Sequence, residues 1–237
     1  MLPRPRSRPG ARAAPPGSTT SALPSASATP AEGQAGCDPA ADDRPAGAGT
    51  LLTVGHSTLP IEQFLALLRS GATRAIADVR RFPGSRRNPQ FGADALARSL
   101  AAAGVAYLPF GEELGGRRRP QGAEAEPQRP AVDNSAWSNA SFRAYADYMH
   151  TAEFERGLER LETTAREQRT AVMCAEAHPS RCHRRLIADA MTVRGWRVLH
   201  LLPGRAPEEH ALSPHARVEA GRLDYPGEGP SGERAVR

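Results

Sequence analysis

Short apolar runs alternate, through the middle of the chain, with segments whose apolar residues recur every three or four positions. The runs predict five buried strands, at 50–54, 74–79, 105–108, 170–174 and 196–202. The segments between them predict helices at about 61–70, 94–103, 139–161 with a break near His150 or Thr151, and 180–193. Alternating strands and helices are typical of an open parallel sheet covered on both faces. The pattern therefore predicts one α/β domain with a mostly parallel, five-stranded, Rossmann-like sheet in three layers.

Both ends of the chain lack this pattern. Residues 1–49 are dominated by Pro, Ala, Gly, Ser and Arg and contain three large apolar side chains, too few to offset the entropy of ordering. Residues 213–237 have a similar composition. We therefore expect disordered tails around a domain at 50–212, which closes with a short helical turn at 207–212. Inside the domain, residues 117–136 predict a flexible insertion or lid, because this connection far exceeds the usual length.

Polar residues follow three of the predicted strands. His56 and Ser57 come after the first strand, Asp78 and Arg80 after the second, and the segment 174–184 after the fourth. Ligands of open α/β sheets bind beyond the carboxyl ends of the strands, where the strand order reverses. With a strand order of 3-2-1-4-5, these three loops would open into one crevice. We therefore expect a functional site there.

The charge of the chain changes this interpretation little. The net charge is +5, but every basic residue is Arg and none is Lys, which indicates a genomic preference for GC-rich codons. A basic chain is compatible with phosphate ligands or nucleic acid. Three cysteines do not make a disulfide framework, and no apolar run has the length of a signal peptide or a membrane span. We expect a cytoplasmic protein with no membrane partner.

Three chemistries are open for the segment 174–184, whose sequence is CAEAHPSRCHR. Cys174 is either an inert buried side chain or a nucleophile activated by Arg181, His183 or the next helix. Six residues separate Cys174 from Arg181, one more than in the phosphate loop of cysteine phosphatases, so that mechanism is not matched.

The second chemistry is metal binding, and a divalent metal is the cofactor that these residues suggest. Cys174, His178, Cys182 and His183 are suitable ligands and His56 is a further one, with Cys174, Cys182 and His183 the leading candidates, although their spacing is not that of a structural zinc site. The third is an anion pocket at the amino terminus of a helix capped by Ser180. The alternative to an anion pocket is that Asp78, Glu176 and the nearby arginines pair with one another in a buried ion-pair network.

Five segments together carry a resemblance to a known family: VGHST, DVRRFPGSRRNPQF, LGGRR, FRAYADYM and MCAEAHPSRCHRRLIAD. In this order, over about residues 51–212, they resemble the DUF488 family of bacterial and archaeal proteins. The resemblance implies a small α/β domain and supplies no established reaction. The signature residues it implies are Gly55, His56, Ser57, Asp78, Arg80, Pro83, Ser85, Arg86, Leu114, Gly115, Gly116, Arg117, Cys174, Glu176, Cys182, His183 and Arg184.

The sequence thus predicts an enzyme that acts on an anionic substrate, either phosphate-bearing, nucleotide-like or derived from nucleic acid. The predicted catalytic residues are His56, Asp78, Glu176, Cys182 and His183. The predicted ligand-binding residues are Ser57, Arg80, Ser85, Arg86, Gly115, Gly116, Arg117 and Arg184. Two alternatives remain: a non-catalytic module that binds phosphate or nucleic acid, and a metal-dependent hydrolase that uses the Cys/His/Glu cluster.

Overall fold

A computed structural model of the 237-residue chain describes residues 49–84, 86–118 and 133–227. The disordered head expected at 1–49 lies outside the described residues except for Gly49, and most of the insertion expected at 117–136 does so too. The described residues all belong to one compact unit. No helix within these ranges combines the length and the apolar character that crossing a bilayer requires.

The elements agree closely with the hydrophobic pattern. The strands are β1 Thr50–Gly55, β2 Ala75–Asp78, β3 Ala106–Pro109, β4 Thr170–Cys174, β5 Arg197–Leu201, β6 Glu208–Glu209, β7 Arg217–Glu219 and β8 Arg222–Asp224. The helices are α1 Ile61–Ser70, α2 Ala93–Ala102, α3 Gly111–Leu114, α4 Ala140–Tyr148, α5 Ala152–Glu167 and α6 Arg184–Val193. Single 3-10 turns occupy Pro89–Phe91 and Pro179–Arg181. The predicted break between two helices is confirmed at residues 149–151, where Thr151 caps α5.

The main sheet has six strands in the order β3-β2-β4-β1-β5-β6, and its first five strands are parallel. The α/β class and the mostly parallel sheet are confirmed, but the expected order 3-2-1-4-5 is wrong because β4 lies between β2 and β1. Every residue of β4 is buried, which suits a central strand covered on both faces. This insertion places Cys174, the last residue of β4, between the loops that follow β1 and β2.

Helices cover both faces of the sheet. Alternate residues of a strand point to opposite faces, and Leu51 and Val172 accordingly pack with α4, α5 and α6, whereas Leu52 and Met173 pack with α1 and α2. The predicted three-layer arrangement therefore holds. The sheet and its two apolar layers form the rigid support for the loops at the carboxyl ends of the strands.

The region after β5 differs from the sequence prediction. In place of a helical turn at 207–212, β6 adds an antiparallel edge to β5, with Leu199 opposite Glu209 and the amide of His210 donating to Val198. The free edge of β5 supplies backbone partners that a helical turn would leave unpaired.

The residues from Ser213 to 227 are also ordered, whereas composition predicted a disordered tail from 213. A two-stranded sheet of β7 and β8 forms here, and Leu223 and Tyr225 are buried in the core. The Tyr225 hydroxyl donates to Asp189 of α6 at 2.9 Å, and the Tyr225 amide donates to Asn134 at 3.1 Å. Two apolar side chains with buried polar partners are enough to hold a segment whose composition is otherwise polar.

Candidate functional site

A cleft of about 640 Å³ opens beyond the carboxyl ends of β1, β2 and β4. The predicted site residues that line it are His56, Ser57, Arg80, Gly116, Arg117, Cys174, Glu176, Cys182 and His183. Loops that are far apart in the sequence therefore share one cavity. Asp78, Gly115, Arg86 and Arg184 are not among the lining residues, and Ser85 lies outside the described residues.

Backbone contacts hold the loops after β1 and β4 together. The amide of His56 donates to the carbonyl of Cys174 at 3.1 Å, and the amide of Ser57 donates to the carbonyl of Ala175 at 2.9 Å. A Cβ atom on Gly55 would lie 1.9 Å from the carbonyl oxygen of Glu176, so only glycine allows this approach. The two loops form one wall of the cleft.

A buried ion pair stands at the end of β2. The guanidinium of Arg80 binds the Asp78 carboxylate through Nε at 2.8 Å and Nη2 at 2.6 Å, and the Tyr107 hydroxyl donates to the same carboxylate at 2.8 Å. Arg80 also donates from Nη1 to the carbonyl of Phe91 at 2.7 Å. Asp78 is 1% exposed. It orients Arg80 and does not line the cleft, and the catalytic role that the sequence predicts for it stays a prediction.

His56 continues this network. Its Nδ1 lies 2.8 Å from the Ser57 carbonyl, which can only accept, so Nδ1 carries the proton and Nε2 accepts from Arg80 Nη1 at 3.2 Å. The ring stacks on Phe91 with a centroid distance of 4.1 Å. Burial, followed by the charge of Arg80, lowers the pKa of His56 below its ordinary value. His56 therefore supports Arg80 as a neutral ring.

Two thiols and one imidazole form a cluster on the floor of the cleft, which we call the Cys/His cluster: Cys174, Cys182 and His183. The His183 Nδ1 lies 3.7 Å from Cys182 Sγ and 4.0 Å from Cys174 Sγ. Its Nε2 lies 3.2 Å from the carbonyl of Val79 and donates to it, which leaves Nδ1 as the atom that faces both sulfurs. This arrangement joins the end of β4, the start of α6 and the loop after β2.

The two thiols differ in acidity. A hydrogen bond from Cys182 outweighs the effect of burial and, together with His183 and Arg184, holds the pKa of Cys174 well below its ordinary value. The same contact with Cys174, together with burial, raises the pKa of the Cys182 thiol. The hydrogen bond between the two thiols therefore favours the thiolate at Cys174 over the thiolate at Cys182, and a lowered pKa is what makes a cysteine more reactive.

Arginines surround the cluster at the rim of the cleft. Arg80, Arg81, Arg117 and Arg181 line the cleft, and Glu176 is the one carboxylate among its described lining residues. Arg81, Arg117, Arg181 and Glu176 are exposed, whereas Arg80 is 8% exposed. Such a surplus of guanidinium groups attracts anions, and their planar shape suits phosphate and carboxylate.

Arg184 has a structural task. Its guanidinium donates to the carbonyls of Val54 at 2.7 Å, Glu176 at 3.0 Å and Ala177 at 3.3 Å, and the residue is 1% exposed. It ties the loop after β4 to β1 rather than facing the cleft.

The helix start predicted at Ser180 is wrong, because Pro179–Arg181 forms a 3-10 turn capped by His178 and α6 begins at Arg184. The predicted anion site at a helix capped by Ser180 is therefore not formed.

Glycines shape the opposite wall. A Cβ atom on Gly116 would lie 2.8 Å from Nδ1 of His183, and one on Gly115 would lie 2.1 Å from the carbonyl oxygen of Gly111. Gly116 thus lies against the imidazole, while Gly115 closes the turn behind it. Arg117 follows with a positive φ of 58°. The short helix α3 ends directly before these residues and positions them, although the sequence there has no helical spacing of hydrophobic residues.

Eleven lining residues were not in the predicted site, and four of them carry charged or aromatic side chains that bear on its chemistry: Arg81, Phe82, Tyr145 and Arg181. Phe82 is 66% exposed, and an aromatic side chain between an arginine and a proline was the available signal for it. Tyr145 is one of the buried residues of α4. It is 1% exposed, yet its ring lies 5.0 Å from that of His183.

Fold and site together define the chain as a three-layer α/β protein whose arginine-rich cleft holds a Cys/His cluster at the carboxyl ends of its central strands. Residues 60–191, more than half of the chain, match the family described as Domain of unknown function DUF488, and the chain belongs to this family. No curated protein and no solved structure matches the chain. The family resemblance seen in the sequence is thus confirmed, and it brings no reaction with it.

Proposed function

We propose that this protein is an enzyme that acts on an anionic substrate bound in the cleft. The observation that carries the proposal is the position of the Cys/His cluster beneath Arg80, Arg81, Arg117 and Arg181. Reactive groups alone would not indicate what kind of substrate they act on. Arginines alone would indicate anion binding but no reaction. Here both line one cavity, which is large enough for a small molecule or for the end of a nucleic acid.

The arginines would bind the substrate, and the cluster would act on it. An anion in the cleft would meet the exposed guanidinium groups of Arg117 and Arg181 first, and Arg80, fixed by Asp78 and His56, would receive it without further ordering. A preorganised charge of this kind costs no rearrangement during the reaction. His183 would act as part of this cluster, since Val79 holds its ring and Nδ1 faces the two sulfurs.

The rim of the cleft favours a substrate with a planar group. Phe82 is the most exposed large apolar side chain of the described residues and follows directly on Arg81. Aromatic rings beside arginines stack on nucleobases, typically worth about 1–3 kcal/mol per base. This feature supports a nucleotide-like or nucleic-acid-derived substrate over a bare inorganic anion.

Anion binding is tested by titrating the full chain with inorganic phosphate and with nucleotides in a calorimeter. Replacing Arg181 or Arg117 by Ala removes a charged donor worth about 1.5–3 kcal/mol, so we expect affinity to fall roughly 10- to 100-fold. Arg205→Ala is the matched control, because Arg205 is an exposed arginine paired with Glu208 outside the cleft. Equal losses for Arg205→Ala and Arg181→Ala would contradict binding in the cleft.

A further variant, His183→Ala, separates an enzyme from a binding module. In a screen of phosphate esters, nucleotides and RNA, we expect His183→Ala to abolish turnover and to leave anion affinity within a few-fold. A non-catalytic module would show no turnover, a steep dependence of affinity on salt and no effect of His183→Ala. That result would replace the enzymatic proposal by the binding one.

A further inference from the structure

We propose that the Cys/His cluster binds one thiophilic divalent cation, with the properties of zinc, and leaves a fourth coordination position open to the cleft. This inference rests on the proposed function, because it names the group that would act on the anionic substrate. Its three ligands would be Sγ of Cys174, Sγ of Cys182 and Nδ1 of His183. Two thiolates and one imidazole are a ligand set of catalytic zinc sites.

The ligand atoms already lie near the spacing that a tetrahedral ion requires. All three lie within 4.8 Å of one another, and Nδ1 is 3.7 Å from Cys182 Sγ and 4.0 Å from Cys174 Sγ. Zinc bonds of about 2.3 Å to sulfur and about 2.0–2.1 Å to nitrogen separate these atoms by roughly 3.6 Å in a tetrahedron. The two distances from Nδ1 exceed this value by a few tenths of an ångström at most, and the two sulfurs, which lie within 4.8 Å of each other, would approach to about 3.8 Å on binding the ion.

Neighbouring groups prepare each ligand for a metal. His183 donates its Nε2 proton to the carbonyl of Val79, so Nδ1, which faces the sulfurs, is the ring nitrogen left to bind a metal. This bond from the distal nitrogen to a carbonyl is the usual partner of a histidine that binds metal. The backbone amide of Arg184 donates to Cys182 Sγ at 3.4 Å, a hydrogen bond that a metal-bound sulfur would also accept.

The walls of the cleft hold the ligands in place. The imidazole lies between Gly116, which has no side chain to displace it, and the ring of Tyr145 at 5.0 Å. Cys174 ends the central strand β4, and Cys182 is 3% exposed. Ligands fixed in this way lose little entropy on binding, which favours a specific ion over a chance association.

The open position faces the substrate. All three ligands line the cleft, so a bound ion would reach its contents on that side. An ion with three protein ligands polarises a substrate oxygen or lowers the pKa of a bound water. The surrounding arginines would bring the anion to this position. The inference therefore joins the two halves of the proposed function, the cluster and the arginines, in one centre.

The test is metal binding by the full chain, freed of metal by a chelator and kept reduced. We expect one equivalent of zinc by calorimetry and elemental analysis. Cobalt(II) in its place should give the intense near-ultraviolet absorption of thiolate-to-cobalt charge transfer, which reports sulfur ligands without any mutation. Cys182→Ala and His183→Ala should each weaken zinc binding by at least a hundredfold and should reduce or alter the cobalt absorption.

Two controls leave the three ligands intact. His178→Asn replaces an exposed histidine of the same loop while keeping a side-chain acceptor for the amide of Ser180, and Cys37→Ser removes the remaining cysteine of the chain. Both variants should bind zinc like the wild type. Absence of stoichiometric zinc in the reduced chain, a cobalt spectrum without charge transfer, or equal losses in the controls would overturn the inference.

The two proposals fail separately. If the metal-free chain still binds phosphate in a manner that depends on Arg181, but binds no zinc, only the metal site falls. If the chain binds zinc but binds neither phosphate nor nucleotides, only the proposal of an anionic substrate is contradicted. Loss of zinc after oxidation, restored by a reductant, would show that a disulfide between Cys174 and Cys182 competes with the metal, and it would support both sulfurs as ligands.

Discussion

Nε2 of His56 accepts a hydrogen bond from Nη1 of Arg80 at 3.2 Å, while Nδ1 of the same ring donates to the carbonyl of Ser57 at 2.8 Å. A protonated ring could not accept from Arg80, and burial, followed by the charge of Arg80, lowers the pKa of His56. We expect His56 to stay neutral at and below its ordinary pKa of 6.5. Histidine ¹⁵N chemical shifts, followed through a pH titration, measure this directly. A His56 that gains its proton at or above the ordinary pKa would contradict the bonding pattern.

Removing the charge of Asp78 should destabilise the protein strongly. In Asp78→Asn the buried guanidinium of Arg80 loses its counter-ion, and breaking a buried pair costs about 3–5 kcal/mol. The free energy of unfolding, measured with urea, should fall by about that amount. Glu208→Gln is the control, because its pair with Arg205 is exposed and should change stability by less than about 1 kcal/mol. Similar losses in the two variants would show that Arg80 does not depend on Asp78.

A chain of buried polar groups outside the cleft predicts a pH effect on stability. Thr53 donates to His200 Nδ1 at 2.7 Å, His200 Nε2 donates to His210 Nδ1 at 3.0 Å, and His210 Nε2 donates to Asp189 at 2.8 Å. Burial, followed by the charge of His210, lowers the pKa of His200 to about 3 from an ordinary 6.5. The native ring therefore stays neutral at a pH at which the unfolded chain is protonated.

The sign of this effect follows from the depressed pKa. Above pH 6.5 neither state binds the proton, so His200 contributes no pH dependence there. As the pH falls from 6.5 toward 3, the unfolded state binds the proton, and stability drops by up to roughly 1.4 kcal/mol per pH unit. Urea unfolding over this range should show a shallower loss in His200→Gln than in the wild type. Parallel curves would mean that His200 is not kept neutral by the fold.

Cys174 should be alkylated at a lower pH than an ordinary cysteine, because Cys182 and His183 favour its thiolate. The rate of reaction of the metal-free chain with iodoacetamide, followed by peptide mass spectrometry, gives the pH at which Cys174 is half-reactive. Cys182→Ala should move that pH upward, since the hydrogen bond that contributes most to the lowered pKa is removed. A midpoint at the ordinary value of 9.0 in the wild type would contradict the activated thiolate.

A methyl group at position 116 should disturb the cluster without unfolding the domain. The Cβ atom in Gly116→Ala would lie 2.8 Å from Nδ1 of His183, which must move away from the sulfurs. We expect turnover and zinc affinity to fall at least tenfold. Gly84→Ala is a matched control in the same cleft, because nothing lies within 4 Å of its Cβ position. Equal effects of the two changes would show that Gly116 does not position the imidazole.

The candidate site was recognisable in the sequence, but the roles within it were not. His56, Asp78 and Arg184 appear in the signature motifs beside Cys174 and His183, and the sequence treats them alike. In the structure their surroundings differ. Asp78 and Arg184 are hydrogen-bonded to buried partners, whereas Cys174 and His183 line the cleft. Whether a polar side chain faces inward or outward depends on atoms that come from other parts of the chain.

By itself, the sequence determined the class of fold, the five main strands and the helices between them. The spacing of hydrophobic residues and the positions of Gly and Pro, which indicate these elements, depend only on residues that are close in the sequence. It also determined that polar residues end β1, β2 and β4, since that order is written along the chain. Only the tertiary structure decided that β4 lies between β2 and β1, that Leu223 and Tyr225 pack in the core, and that His183 Nδ1 faces two sulfurs. These outcomes depend on contacts between distant segments, whose energies no local pattern contains.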